Sequence, residues 1–499
     1  MQQESLPSGP QPGRWVLSHT EIRTVVLGLM LAMFLAALNQ TIVATALPSI
    51  GRDFRDFELL PWVVTAYLLT STVVAPLYGK LSDIHGRRAM VLASVGIFLA
   101  GSVACAVAPD MITLVLGRGL QGLGGGGILP LAQAILADAV APRERGHYQA
   151  YMGSAWVTAG LAGPVLGGIL SERFHWSAIF WINIPLGLVA AYMAYQTLKR
   201  LPRHDQKHKL DLLGAALMMA AAIPLLLTLT WGGTRYPWLS TPIITMILVA
   251  ILLSMLFIWR LTQAREPFLP LPVLANSVMR MGTACTSFSQ GVVIGLTIFL
   301  PLYYELVHKF SASDSGLALI PIVVMSTPGS ILAGRMMMFL HHYKRVPLVC
   351  LSCAIVALSV LAWNPSMHPI VVAGVLSIVA FGIGTTYPVG TVSIQNAVSR
   401  YQVGAAMGAM NFFRGLTAAF VVAAMGALLL AALGVAPERG GSTAIMAATA
   451  NAPGVDLAHV FRGVFAIGVV CLVVSLIALI WMEERPLRGR SERTPPSAA

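Results

Sequence analysis

The chain has 499 residues, 57% hydrophobic and only 10% charged, with a mean hydropathy of +0.76. Soluble globular domains carry about 25% charged residues, so this composition excludes them and describes a chain that crosses a membrane many times. The net charge of +12 would suit nucleic acid, but the placement of the charges assigns it to membrane orientation instead.

Residues 1–13 are polar and Pro-rich, without the pattern of a cleaved signal, and the first apolar run is long enough to span. A ruler of about 20 apolar residues per span predicts fourteen helices. They lie near 24–48, 60–80, 88–108, 111–137, 147–171, 177–198, 211–231, 241–262, 280–302, 314–338, 346–363, 368–393, 404–433 and 458–481. With the N-terminus inside, seven of the 32 Lys and Arg fall in outer loops: Arg52, Arg55, Arg173, Arg235, Lys309, Arg439 and Arg462. Two, Arg118 and Arg414, fall within helices, and the other 23 sit at cytoplasmic ends. That bias follows the positive-inside rule loop after loop and places both termini in the cytoplasm. It also explains the basic balance without nucleic acid.

The basic loop 199–211 divides the chain. The expected organisation is a cytoplasmic tail (1–23), a six-helix bundle (24–198), the loop with two inserted helices (199–276), a second six-helix bundle (277–482) and a cytoplasmic tail (483–499). Parallel half-repeats of this kind place a substrate site near the midplane between the halves. The long outer loop, about 434–457, is rich in Gly, Ala and Pro and reads as flexible.

In chain order, the first chemically marked stretch is GKLSDIHGRR, Gly79 to Arg88, between the second and third helices. A charged turn this short belongs at a membrane face. Gly79 permits close helix approach, Asp83 suits the positive end of a helix dipole, and Arg87 and Arg88 mark the cytoplasmic side. An ordinary basic loop is the alternative. Helix 4 carries LVLGRGLQGLGGGG. Arg118 is costly there, about 2.5–3.5 kcal/mol on insertion scales, so it should face a polar interior beside Gln121. It either serves function or holds the bundle through backbone carbonyls. Helix 5 carries AGLAGPVLGG. Gly160, Gly163, Gly167 and Gly168 form a small-residue face and Pro164 a bend, suited to rocking against the other half or to plain packing. The five cysteines lie in apolar runs and read as buried thiols; Cys350 and Cys353 form a CxxC without His or carboxylate partners.

These motifs resemble the major facilitator superfamily. GKLSDIHGRR is similar to its loop 2–3 signature, LVLGRGLQG to its helix 4 signature, and AGLAGPVLGG to its helix 5 antiport signature. LNQTIVATALPSI and HWSAIFWINIPLG resemble patterns of the fourteen-helix drug:proton antiporters, the EmrB/QacA-like group. The resemblance implies an all-α membrane fold: two six-helix bundles, two extra helices between them, fourteen spans and cytoplasmic termini. It implies export of amphipathic small molecules by proton antiport with alternating access, as a monomer in a bacterial cytoplasmic (inner) membrane. No cofactor is implied; the proton gradient supplies the energy. Gly79, Asp83, Gly86, Arg87 and Arg88 would form a cytoplasmic latch. Arg118 would support proton coupling, and the helix 5 face would keep the interface tight. The second half matches less sharply. In the segment from Gly334 to Arg345 the acid of the loop signature is lost, while Lys344 and Arg345 stay basic.

One departure stands out. The group commonly has an acid in helix 1 where this chain has Asn39, and none of its 20 acids falls in mid-helix. Glu305, at the outer end of helix 9, is the nearest alternative, as a vestibule residue or a solvated helix end. Asp138 reads as a cytoplasmic loop charge near Arg143. Asn39, Arg118 and Glu305 are therefore the proton-coupling candidates. Cavity candidates are Asn39, Gln40, Trp62, Tyr67, Gln121, Trp156 and Asn183 in the first half. In the second half they are Gln290, Tyr303, Tyr387, Gln395, Asn396, Asn411, Phe412 and Arg414. Two arginines without an acid favour neutral, amphipathic or anionic cargo. An exporter of one anionic metabolite or lipid, with weak or no proton coupling, is the second reading. A membrane enzyme is disfavoured: His85, His147, His204, His208, His341 and His342 read as cytoplasmic loop residues with no triad or zinc spacing.

Overall fold

The computed structural model describes residues 19–200, 210–233, 235–433 and 457–487. Most of the two tails, the centre of the basic loop with His204 and His208, and the outer loop 434–456 with Arg439 lie outside the described residues. Among the described residues, fourteen helices are long and apolar enough to cross a membrane. They are α1 Thr20–Phe54, α2 Leu60–His85, α3 Arg87–Ala106, α4 Met111–Ala139, α5 Pro142–Arg173, α6 Ala178–Thr197 and α7 Leu212–Trp231. The rest are α8 Thr241–Gln263, α9 Ser277–Val307, α10 Ser313–Phe339, α11 Arg345–Trp363, α12 Pro369–Ala397, α13 Arg400–Ala432 and α14 Ala458–Trp481. The count matches the hydropathy reading. Several helices run past the apolar stretch, as α1 and α5 do, because polar end turns continue the hydrogen-bonded ladder beyond the hydrocarbon thickness.

Two spans are broken where proline removes a donor. In α6 the helix interrupts at Ile182, one turn before Pro185 would have bonded back to Trp181. In α10 turns fall at Ala318–Leu319 and at Met325, ahead of Pro321 and Pro328. Elsewhere a single Pro, such as Pro130 in α4 or Pro388 in α12, sits inside a continuous helix, which membrane helices tolerate.

Helices α1–α6 form one bundle and α9–α14 the other, each around its own apolar core. The glycine run of α4 explains the tightness of the first. A β carbon at Gly124 would strike the backbone of Phe98 in α3, and one at Gly126 the backbone of Ser71 in α2. α4 is thus wedged between two helices whose backbones it nearly touches, the packing mode that small residues make available in a membrane. Ser94 Oγ reinforces it by donating to the Gly124 carbonyl at 2.7 Å.

The inserted pair lies across the junction of the bundles. Met219, Ala222 and Leu226 of α7 share an apolar cluster with Leu69 and Val73 of α2 and Phe412, Leu416 and Ala419 of α13. Asp211 caps α7 by accepting from the Gly214 amide at 3.0 Å and pairs with Arg260 of α8 at 3.1 Å. At the outer end Trp231 meets Trp62 of α2 edge-on, centroids 5.4 Å apart, and Arg235 reaches Glu58 at 3.6 Å.

Two expectations are corrected here. Cys353 is exposed and Cys350 half-buried, so the CxxC of α11 is not a pair of buried thiols; the spacing puts them on the outer flank of that helix. His85 and His147 sit in the last turn of α2 and the first turns of α5 rather than in loops.

Gly124→Leu should lower the thermal midpoint in detergent sharply, since overpacking here meets backbone and costs about 1–3 kcal/mol or more. Gly96→Leu, with open space around its α carbon, should leave it within a degree or so. Fluorescence-detected size exclusion after heating would compare them.

Candidate functional site

The inner end of the site lies at the face carrying the basic loops. There α2 ends at His85, Gly86 turns the chain alone with φ +88°, and α3 begins at Arg87. That left-handed φ is one L side chains rarely adopt. Two turns earlier, Gly79 lies against the backbone of Gly404 and Gly408 in α13, with no room for a β carbon on either side. The contact brings Asp83 onto the first turn of α13. Its carboxylate accepts from the amides of Gly404 at 3.0 Å and Ala405 at 2.8 Å. Those amides open the α-helical part of α13, which begins at Val403 after a 3-10 turn at Arg400–Gln402, and the positive end of its dipole favours the charge. So Asp83 serves the helix of the opposite bundle, not the α3 that follows it.

Arg87 organises this carboxylate. Its Nη1 donates to Asp83 Oδ1 at 2.6 Å and its Nε to Asp138 Oδ2 at 2.9 Å. All three side chains are 5–6% exposed. Asp138 is therefore a buried partner of Arg87 at the end of α4, not a loop charge near Arg143. Arg143 instead donates from Nε to the Met338 carbonyl of α10 at 2.8 Å. Beside it Gly146 of α5 and Gly334 of α10 pack backbone to backbone. The inner face is closed on both flanks by glycine contacts. Arg88 takes no part; its guanidinium lies over the Tyr195 ring of α6 at 4.1 Å, within its own bundle.

In the outer third of the first bundle a second polar group is fully buried. Arg118 is 1% exposed; its Nε donates to the Val63 carbonyl at 2.8 Å and its Nη1 to Gln121 Oε1 at 2.6 Å. Its carbon centre stands 4.5 Å from the Tyr67 ring centroid. Gln121 Nε2 donates to Ser102 Oγ at 2.6 Å, and Asn183 Nδ2 reaches both Ser102 Oγ and Asn39 Oδ1 at 3.3 Å. A chain of amides and hydroxyls thus runs from Arg118 to Asn39 with no carboxylate in it. Asn39 Nδ2 and Asn183 Oδ1 have no partner among the described residues.

Between the bundles lies a cavity of about 940 Å³. It reaches from mid-membrane to the outer ends of α2, α7, α9 and α13, lined there by Thr65, Thr230, Leu302 and Leu430. Closure at the basic face and opening at the opposite one make this an outward-open arrangement. Of the expected cavity residues, Gln40, Tyr67, Trp156, Gln290, Tyr387, Asn411 and Arg414 line it. Arg414 is its one charged lining residue among the described residues, 5.6 Å from the Tyr387 ring centroid.

The others are placed elsewhere. Asn39, Gln121 and Asn183 are wholly buried in the Arg118 network. Trp62 packs on Trp231, and Phe412 turns to α2 and α7. Tyr303 lies in the second-bundle core, its hydroxyl donating to the Pro365 carbonyl at 2.5 Å. Gln395 and Asn396 sit below the cavity, the latter donating to Pro486. Glu305 is half-buried at the outer end of α9 and is not part of the lining. On α5, Gly163 and Gly167 pack on Thr41, Ile42 and Thr45 of α1 in the same bundle. Thr41 Oγ1 seals that contact by donating to the Ala159 carbonyl at 3.1 Å. Only Gly160 looks toward α10, at Val323, while Gly168 faces open space and Pro164 is exposed. The four glycines do not form one face against the other half.

Sequence reasoning missed Gln133 of α4, which is wholly buried beneath the cavity floor and bonded to Tyr387, Asn411 and Gln395. Its signal was present: a lone amide in an apolar half-helix. The cavity wall formed by Leu226, Leu229 and Thr230 of α7 was missed as well.

A sequence profile described as Major Facilitator Superfamily matches residues 29–422. The chain is 30% identical over 410 residues to "Multidrug transporter protein MdtP" of Bacillus subtilis (strain 168), covering 82% of this chain and 76% of that protein. It is 33% identical over 433 residues to "Uncharacterized MFS-type transporter Rv1877" of Mycobacterium tuberculosis (strain ATCC 25618 / H37Rv), covering 85% of this chain but 62% of that one. Several fungal relatives named efflux pumps are likewise matched over a little under two thirds of their length. Among solved structures, the human organic anion transporter MFSD10 (TETRAN) superposes with a TM-score of 0.64 at 16% identity, covering 93% of this chain and 99% of that one. That likeness is one of fold.

The inner closure yields a prediction. Asp83→Asn removes the charge that two amides and Arg87 share, and hydrogen bonds to charged groups contribute about 1.5–3 kcal/mol each. The population separated at the inner face should rise roughly tenfold or more, read as spin-label distances between the inner ends of α2 and α13. Arg88→Ala should leave those distances unchanged.

Proposed function

Because this chain belongs to the Major Facilitator Superfamily, we propose that it exports amphipathic small molecules by alternating access, exchanging them for protons. The superfamily and the named relatives are membrane transporters rather than enzymes. The observation that carries the reading is the cavity itself. It is apolar-walled, lies between two bundles, opens away from the basic face and is shut below by backbone contacts. Its size suits a drug-sized molecule. The bacterial cytoplasmic membrane, with the basic loops inside, is the setting we propose.

In this reading the inner closure is the latch. Gly79 sets the contact distance, Asp83 binds the amide end of α13, and Arg87 holds the carboxylate through Asp138. Opening inward pulls α13 off Asp83 and leaves the carboxylate to Arg87 alone. Arg118 and its amides brace the outer third of the first bundle beside Tyr67, which lines the cavity. A buried guanidinium with no carboxylate partner leaves a place for a counter-charge. Asn39, whose Nδ2 lacks a partner, is where an acid would supply it.

A second reading concerns the cargo. With Arg414 as the one charge in the lining and no carboxylate there, a cation would enter desolvated and unpaired, at high cost. Neutral or anionic amphiphiles fit better.

Transport in proteoliposomes with an imposed pH gradient tests both. This chain should move an anionic amphiphile better than a cationic dye, and Arg414→Ala should cut the anionic flux about tenfold, the scale of one charge-assisted contact. Asn39→Asp should gain gradient-driven cation flux. Equal flux with and without the gradient would end the antiport reading, and undiminished anion flux in Arg414→Ala would end the cargo reading.

A further inference from the structure

Beneath the cavity floor, one residue holds three side chains of the opposite bundle. Gln133 Oε1 accepts from Asn411 Nδ2 at 2.6 Å. Its Nε2 donates to the Tyr387 hydroxyl oxygen at 2.7 Å. Its backbone carbonyl accepts from Gln395 Nε2 at 3.0 Å. Gln133 belongs to α4 of the first bundle, Tyr387 and Gln395 to α12 and Asn411 to α13 of the second. Tyr387 and Asn411 also line the cavity, whereas Gln133 does not. The Asn411 donor is therefore engaged from behind by a group that cargo does not reach, while Tyr387 accepts from the same group and keeps its own O–H.

These bonds exist only while the inner ends of the bundles are together. When α4 parts from α12 and α13, the Asn411 amide loses its acceptor and faces the cavity. We infer that Gln133 is a positioning residue that switches cargo affinity: it stands in for a cargo acceptor oxygen when the inner face closes. This inference rests on the export reading above. Inward-open, the Asn411 amide and the Tyr387 hydroxyl are free to bind a carboxylate, carbonyl or ether oxygen of an amphiphile. As the inner face closes, Gln133 Oε1 takes the Asn411 N–H and the cargo oxygen loses its donor. A transporter needs such a difference in affinity between its two states to drive release.

A second observation agrees. Asn411 Oδ1 and Gln395 Oε1 have no partner among the described residues, although Asn411 is 9% and Gln395 3% exposed. Both oxygens are buried, so the closed floor is short of donors rather than of acceptors. With the Asn411 donor taken, a cargo oxygen is left to the Tyr387 hydroxyl and to Arg414 above the Tyr387 ring. The recognised chemistry is thus an apolar body bearing an acceptor oxygen, neutral or anionic.

The test uses full-length protein with Gln133→Met, which keeps the volume and removes both side-chain bonds; Gln133→Ala serves if that variant misfolds. Equilibrium binding of an anionic amphipathic fluorophore is measured by anisotropy, and efflux of the same dye from proteoliposomes. Spin-label distances between the inner ends of α4 and α12 are recorded without dye. The inference expects about tenfold tighter binding, slower efflux and a larger separated population at the inner face. Asn411→Leu, which removes the donor itself, should weaken binding. Unchanged or weaker binding by Gln133→Met together with unchanged distances would overturn it. If the unaltered protein neither binds nor moves any amphiphile, the export reading fails. The distance measurement then still decides whether Gln133 ties the bundles.

Discussion

The arrangement depends on a carboxylate seated on the amides that begin a helix of the opposite bundle. Asp83 can reach Gly404 and Ala405 only because Gly79, Gly404 and Gly408 let two backbones touch. Glycine sets the distance and the charge makes the contact selective. Arg87 then fixes the carboxylate by sharing it with Asp138. Each bond is modest, but all are buried and all cross or brace one junction. The opposite flank has the glycine contact of Gly146 and Gly334, to which Arg143 adds a polar bond. The two flanks are alike in shape and unlike in charge, as the loss of the acid in the second half of the sequence foreshadows.

Above that junction the polar groups separate by depth. The Arg118 chain of amides lies within the first bundle, whereas the Gln133 floor joins the two. A buried guanidinium satisfied by a carbonyl, an amide and a ring face keeps its charge without a partner acid. Such a group belongs to a rigid body, and its bonds to α2 and to Gln121 do not cross the seam. The floor bonds do cross it, so they are the ones that must change when the bundles move.

Most of the fold was legible in the sequence, because a bilayer demands long apolar runs and the charge bias orients them. The closing contact at the inner face was legible at Gly79, Asp83 and Arg87, whose spacing fixes one turn of helix and the loop after it. Arg88 was not, since adjacent residues on a helix point about 100° apart and only one of the two can face the seam. The same geometry separates Gln40, in the cavity, from Asn39, behind it. Gly163 and Gly167 looked like a face for the other bundle, but a small-residue stripe does not say which neighbour it meets. Gln133 was overlooked because an uncharged amide changes hydropathy little; its importance comes from three partners far away in the chain.

The inserted helix α7 packs on α2 and α13 together and supplies part of the cavity wall. Its outer end is bound to the first bundle through the Trp62–Trp231 pair and Arg235, while its middle also grips the second. A plank fixed across both leaves of a hinge has to tilt or let go when the hinge turns. α7 therefore makes the two lateral flanks mechanically unequal. Under the proposed alternating access, the α5–α10 flank would open as a simple slit, whereas the α2–α13 flank would carry its own shutter, and the cavity would change shape on that side as well as in access.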